Sequence, residues 1–323
     1  MLQFGINVMP EAPVTELVQF GKEAERIGLQ RCSLMDEGLA TRDVYVALAL
    51  IARETQQVQL GTGITNPFTR HPGVTAAAIA TLDELSGGRA FLGIGAGGSL
   101  TLDPLKIERV KPLKAVAEMI RALRALFRGE SVTFEGELVR FNHARLWYAR
   151  PDLPIWIASR GEKMLALGGK LADGVSLDFV HRDLLGDYIG IIREGAKQSG
   201  NQPRIQYATA IITNDAVLQR LRPYVTFSLV DSPPKAKELI GITPQEVDAI
   251  RQTMNREGLA AAGKLLKEEW IRPFVVMGSI EECAAQIREL YQRYRIDYFL
   301  LPLLDLESAP QMMADLAKVK ALL

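Results

Sequence analysis

Residues 58–98 read VQLGTGITNPFTRHPGVTAAAIATLDELSGGRAFLGIGAGG. Val58–Gly63 is a short apolar run ending in Gly-x-Gly. Val74–Leu85 has the length and spacing of a helix, and Gly87 stops it. Ala90–Ile94 is a second apolar run, and it too opens into glycines, Gly93-Ile-Gly-Ala-Gly-Gly98. Strand, helix and strand follow one another without a hairpin turn, so the two strands are parallel.

The same alternation extends in both directions. Upstream, strands are expected at Leu2–Asn7 and Gln30–Met35, with helices at Val14–Ile27 and Asp43–Thr55. Downstream, a helix is expected at Leu113–Phe127, then strands at Pro154–Ala158, Gly174–Leu177, Ile205–Thr213 and Asp297–Pro302. Helices at Lys163–Leu171, Leu184–Ser199, Ser279–Tyr294 and from Ser308 onward separate them. Two stretches break the rhythm. Residues 131–141 look like a hairpin turning at Glu135-Gly136. Residues 214–271 are too long and too helical for one connection and read as several short helices. Eight strands alternating with helices predict an α/β fold, a (β/α)8 TIM barrel with insertions near 131–141 and 214–271. A doubly wound open sheet has the same periodicity and is the alternative. No linker divides the chain, so residues 1–323 are expected to form one domain.

Composition narrows the function. Thirty-eight Lys+Arg balance 38 Asp+Glu, and the formal net charge is zero. Nucleic-acid binding, which needs a basic surplus, is not expected. The 48% hydrophobic share excludes a disordered chain. Scaling predicts a folded surface of about 13,000 Å². Two cysteines, Cys32 and Cys283, form no disulfide framework. No signal peptide or membrane span is legible, so a cytoplasmic protein with no membrane role is expected. The three histidines, His71, His143 and His181, show no ligand spacing, and no metal site is expected. Trp147, Trp156 and Trp270 are expected in packing.

In a closed barrel the chemistry sits at the C-terminal ends of the strands. Gly61, Gly63, Gly93, Gly95, Gly97 and Gly98 fall there. They either let a flat ligand approach the backbone or relieve strain at barrel corners. Gly93–Gly98 lacks the strand–turn–helix context of a dinucleotide fingerprint. Ser159-Arg-Gly-Glu-Lys163 opens a helix directly after a strand. Its amides, with Ser159 and Lys163, suit a phosphate; the alternative is an ordinary serine cap beside a solvated lysine. Asp36 and Glu37 close strand two and are the candidate acid and base. Arg70, Lys106, Arg109 and Lys111 lie on loops at the same end and are available to an anionic tail.

Leu60–Pro72 and Ala80–Gly97, taken together, resemble the bacterial luciferase-like superfamily. Within it the likeness is to the coenzyme F420-dependent branch that includes methylenetetrahydromethanopterin reductase. Ala158–Met164 and Leu171-Ala-Asp-Gly174 resemble the strand and helix that carry the cofactor phosphate. The resemblance implies a deazaflavin, coenzyme F420, at the barrel mouth, with FMN as the alternative. It implies a non-prolyl cis peptide at Gly63–Ile64 behind the ring. The implied cofactor set is Asn7, Asp36, Gly63, Ile64, Thr65, Gly95, Ala96, Gly97, Ala158, Ser159, Gly161, Glu162 and Lys163. The implied activity is hydride transfer to a small-molecule substrate by a homodimer or homotetramer that packs on helices near strands two to four. Three positions depart from the relatives. Asp36 is followed by Glu37 where they have histidine, strand one ends on Asn7 where the reductases have glutamate, and Gly98-Ser99 replaces an acid. The cofactor class carries over; the substrate does not. An FMN-dependent monooxygenase and a catalytically silent flavin-binding protein remain the competing expectations.

Overall fold

The computed structural model describes residues 1–323. The first half of the barrel runs β1 (Gln3–Val8), α1 (Val14–Arg26), β2 (Arg31–Leu34), α2 (Val44–Glu54), β3 (Gln59–Thr62), α3 (Pro72–Ser86) and β4 (Ala90–Ile94). A short α4 (Ser99–Leu102) and a long α5 (Pro112–Phe127) lead to a hairpin, β5 (Val132–Glu135) and β6 (Arg140–Ala144). The barrel resumes with β7 (Ile155–Ala158), α6 (Glu162–Leu171), β8 (Gly174–Asp178), α7 (Leu185–Lys197) and β9 (Arg204–Ala208). Then come β10 (Ile211–Ile212), α8 (Asp215–Val230), α9 (Pro234–Leu239), α10 (Pro244–Glu257), α11 (Leu259–Gly263) and α12 (Glu268–Ile271). The chain ends with β11 (Val276–Met277), α13 (Ile280–Tyr294), β12 (Tyr298–Leu303) and α14 (Ala309–Ala321).

Eight parallel strands close in the order β1-β12-β9-β8-β7-β4-β3-β2. The open-sheet alternative is therefore excluded. The barrel strands are mostly buried and largely apolar, as strands covered on both faces must be, with polar residues confined to β1, β2, β3, β8 and β9. Local chemistry sets the helix ends. Asp43 caps α2 by accepting from the Tyr45 and Val46 amides at 3.0 and 3.1 Å. Gly87 ends α3 at φ 69°, a left-handed turn that favours glycine. Thr243 with Glu246, and Ser279 with Glu282, form reciprocal caps on α10 and α13. Arg89 clamps the end of α2 to β3. Its guanidinium donates to the carbonyls of Ala52, Thr55 and Val58 at 2.9, 2.9 and 2.8 Å.

The core has two parts. Eighty-five buried residues form one apolar cluster between strands and helices and beneath the insertion. Phe91, Trp156 and Tyr298 form a separate cluster, which encloses the Arg31 guanidinium. The folded surface is 14,330 Å².

Three expectations need correction. The hairpin turns over 136–139, not at Glu135-Gly136, and its second strand starts at Arg140. The buried Glu118 carboxylate on α5 causes this by accepting from the amides of Glu137, Leu138 and Val139 at 3.1, 2.9 and 3.0 Å. Strand seven is broken. Only Arg204–Ala208 belongs to the barrel, and Ile211–Ile212 pairs instead with Val276–Met277 in a small parallel sheet. Thr209 marks the break, donating through Oγ1 to the Phe274 carbonyl at 2.5 Å. Trp147 does not pack in the core and stands 78% exposed, while Trp156 and Trp270 are buried.

Candidate active site

The strand ends that meet at the barrel mouth bring several of the expected residues together. Asn7, Gly63, Ile64 and Ala158 line one cavity, together with Ser33, Ser176, Asp178 and Gln206. Asn7 donates through Nδ2 to the Gly63 carbonyl at 2.6 Å and accepts at Oδ1 from the Ser33 hydroxyl at 2.9 Å. The Gly63–Ile64 peptide is cis. Thr65 returns the chain to the sheet, its amide donating to the Gly93 carbonyl at 2.9 Å and its carbonyl accepting from the Gly95 amide at 2.8 Å. Residues 63–65 are thus laced to β1 on one side and β4 on the other.

The glycines are explained mainly by chain packed on chain. A Cβ on Gly61 would lie 2.2 Å from the Phe91 carbonyl oxygen, and one on Gly93 would lie 2.2 Å from that of Thr62. A Cβ on Gly63 would strike the Asn7 side chain, one on Gly95 that of Ile64 and one on Gly97 that of Leu102. Gly98 alone of the six has open space. Close approach of the protein's own chain accounts for five of the six positions.

The two acids of strand two are held apart. Asp36 accepts from the Thr65 hydroxyl at 2.6 Å, and Glu37 accepts from the Thr101 hydroxyl at 2.5 Å. Asp36 is therefore tied to the chain behind the mouth, and Glu37 to α4 above it. Burial pushes the Glu37 carboxyl above the usual glutamate range; the Thr101 hydrogen bond opposes this and the Asp36 charge adds to it.

Residues 159–163 form a second corner. Gly161 is the N-cap of α6, and no side chain caps it. The first helix amides are consequently free for an anion, and the helix dipole favours one. Ser159 Oγ accepts from the Gly161 amide at 3.0 Å, which leaves its hydroxyl hydrogen to donate outward. Lys163 is exposed. Ala96 is half-buried between these corners. The donor set fits a phosphate. Of the other expected cations, Lys106 is exposed and makes no ion pair, and the remaining three are engaged. Arg70 pairs with Asp43 at 2.6 Å, Arg109 donates to the Gly97 carbonyl at 2.9 Å and Lys111 pairs with Glu137. His71 caps α3, its Nδ1 accepting from Gly73 at 3.1 Å.

Strand-end position picks out Asp178 on the sixth strand but gives it no role, and sequence reading leaves Ser176, Gln206 and Arg31 out of the site. Asp178 had a usable signal, an acid at the C-terminal end of a barrel strand. The other three had none, because only strand register shows that they face the bore.

The luciferase-like monooxygenase family model matches residues 2–298. A 5,10-methylenetetrahydromethanopterin reductase of Methanolobus tindarius is 33% identical over 296 residues, 90% of each chain. That of Archaeoglobus fulgidus is 33% identical over 299 residues, again 90% of each. The solved coenzyme F420-dependent tetrahydromethanopterin reductase of Methanopyrus kandleri superposes with a TM-score of 0.87 at 26% identity, covering 98% of this chain and 97% of that one. With the same closed barrel, and with that sequence match running almost end to end, the chain belongs to the luciferase-like monooxygenase family.

Proposed function

We propose that this chain is a coenzyme F420-dependent oxidoreductase acting on a small organic substrate. The observation that carries the reading is the similarity, over nine-tenths of the chain, to reductases named for this chemistry. The deazaflavin, when bound, supplies a two-electron hydride carrier that reacts poorly with oxygen. The chain's own task is then to bind, to orient and to manage a proton.

The free amides of Glu162 and Lys163 and the Ser159 hydroxyl would hold the phosphate. Gly63–Thr65, Gly95–Gly97, Asn7 and Ala158 would hold the ring. Asp36, fixed by Thr65, is a positioning residue for that wall. Glu37 is the proton donor of the pair, because burial keeps its carboxyl protonated to higher pH. The helix faces beside strands two and three suit self-association. Val46 and Leu50 on α2, and Val74 and Leu85 on α3, are large apolar side chains exposed to 59, 43, 53 and 41%. We propose a homodimer or homotetramer through these faces.

Parallel titrations of the protein with F420 and with FMN, followed by absorbance and fluorescence, test the cofactor. Tighter binding of F420 and anaerobic hydride exchange with F420 are expected. Tighter FMN binding with oxygen-dependent turnover would replace the reading with a monooxygenase. Retained F420 with no hydride acceptor turned over would replace it with a silent binding protein.

A further inference from the structure

A line of buried polar side chains crosses the bore of the barrel. It starts at Arg31 on β2, which is 3% exposed. The guanidinium carbon sits 4.2, 4.1 and 4.1 Å from the ring centroids of Phe91, Trp156 and Tyr298. That aromatic box compensates part of the lost hydration of the cation. No carboxylate pairs with Arg31. Its acceptors are two amide oxygens, Gln206 Oε1 at 2.9 Å and Gln59 Oε1 at 3.2 Å.

The orientation of Gln206 is then forced. A guanidinium donates and never accepts. Gln206 on β9 must therefore present its oxygen to Arg31 and its Nε2 to the other side. Nε2 donates to Ser176 Oγ on β8 at 2.8 Å. The Ser176 hydroxyl, with an acceptor role already taken, donates its hydrogen to Asp178 Oδ1. The chain of bonds runs one way, from a caged cation within the bore to a carboxyl at the open end. Asp178 lines the same cavity as Gly63 and Ile64.

We propose that Arg31, acting through Gln206 and Ser176, favours the charged form of Asp178 and fixes its aim, and that Asp178 is a further carboxyl group of the cofactor site. Arg31, Gln206 and Ser176 are positioning residues in this scheme. The second half of the statement rests on the cofactor reading above; the relay itself does not.

The surroundings of Asp178 leave few competing influences. The charged side chain acting on it is Arg160, on the loop between β7 and α6, whose guanidinium also donates to the Ser228 carbonyl at 3.1 Å. β8 presents Ser176 and β9 presents Gln206. The facing ends of β1, β2 and β3 present Asn7, Ser33, Thr62 and Gly63, none of them charged. Burial outweighs the Ser176 hydrogen bond and the Arg160 charge, so the Asp178 carboxyl lies above the usual aspartate range and the relay works against that rise.

The test is a pH titration of the protein without cofactor, labelled with 13C at the aspartate carboxyl carbons. The Asp178 signal is assigned by its loss in Asp178→Asn. Gln206→Leu keeps the Arg31 charge and the Ser176 hydroxyl but interrupts the relay. Removing a hydrogen-bond bias toward the charged form is expected to raise the Asp178 midpoint by about one pH unit. Arg31→Met should move it the same way, and the double variant no further than the larger single. A wild-type midpoint in Gln206→Leu, or fully additive single effects, would overturn the relay. If circular dichroism shows Arg31→Met unfolded, Ser176→Ala takes its place and must raise the midpoint at least as far as Gln206→Leu. An unmoved midpoint there would also overturn the proposal. F420 titration of Gln206→Leu reads the second half. The pH dependence of the dissociation constant should shift with the Asp178 midpoint, and an unshifted profile would remove Asp178 from the site. An intact relay in a protein that binds no F420 would overturn the cofactor reading and leave the relay standing.

Discussion

Replacing Gly93 by alanine tests how the mouth is built. The added Cβ would lie 2.2 Å from the Thr62 carbonyl oxygen, well inside the 3.0 Å below which such contacts essentially never occur. The obstacle is backbone, so no side chain can swing away. β3 and β4 must part by about 1 Å, an overpacking cost of roughly 1–3 kcal/mol. That movement also stretches two hydrogen bonds, Gly93 N–H to Thr62 Oγ1 at 3.0 Å and Thr62 Oγ1–H to the Gly93 carbonyl at 2.7 Å. Each is worth about 1 kcal/mol. A loss of about 3–5 kcal/mol is expected, or a fall in melting temperature of roughly 4–8 °C for a chain of 323 residues. Gly98→Ala is the control, since its Cβ meets nothing within 4 Å. Urea unfolding followed by circular dichroism gives both values side by side. F420 affinity should fall in Gly93→Ala, because residues 63–65 and 95–97 depend on that strand spacing. A Gly93→Ala protein as stable as Gly98→Ala would refute the account of these glycines as packing positions.

Other consequences are as direct. Arg89→Lys keeps the charge but cannot reach three carbonyls at once; it should cost about 2–3 kcal/mol in urea unfolding. Asn7→Leu leaves the Gly63 carbonyl without its donor, and about 1–3 kcal/mol of stability should go with weaker cofactor binding, read in one urea titration and one fluorescence titration. Glu37 has a raised folded-state value, so its contribution to stability is complete below the ordinary glutamate range, at 4.5, and is lost as pH rises through the raised value. Urea midpoints of the wild type should therefore drop relative to Glu37→Gln between pH 4 and 7; parallel curves would contradict the assignment. Sedimentation at micromolar concentration should give more than one chain, and Val46→Glu should shift the mass toward one.

The barrel was legible because its strands are short apolar runs bounded by glycine. Ala90–Ile94 is found with its expected ends, and the other barrel strands differ by one residue at one or both ends, apart from the broken seventh. What escaped depends on contacts distant in sequence. The hairpin register follows from Glu118, some twenty residues upstream of the amides it binds. The break in strand seven follows from a carbonyl at Phe274. The site was legible in part. Strand-end position picks out Asn7, Asp36 and the 63–65 segment. It says nothing of Arg31, which begins a strand and reads as a solvated end until Phe91, Trp156 and Tyr298 close around it.

The two-residue sheet of β10 and β11 has a consequence for how this protein changes over time. Ile211–Ile212 leads out of the barrel, Val276–Met277 leads back in, and the two run side by side in the same direction. Everything between them departs and returns through a fixed doorway. Inside that doorway the segment still leans on the frame: Arg160, on the loop after β7, donates to the Ser228 carbonyl, and Arg220 on α8 pairs with Asp305 just past β12, so any replacement must supply those partners again.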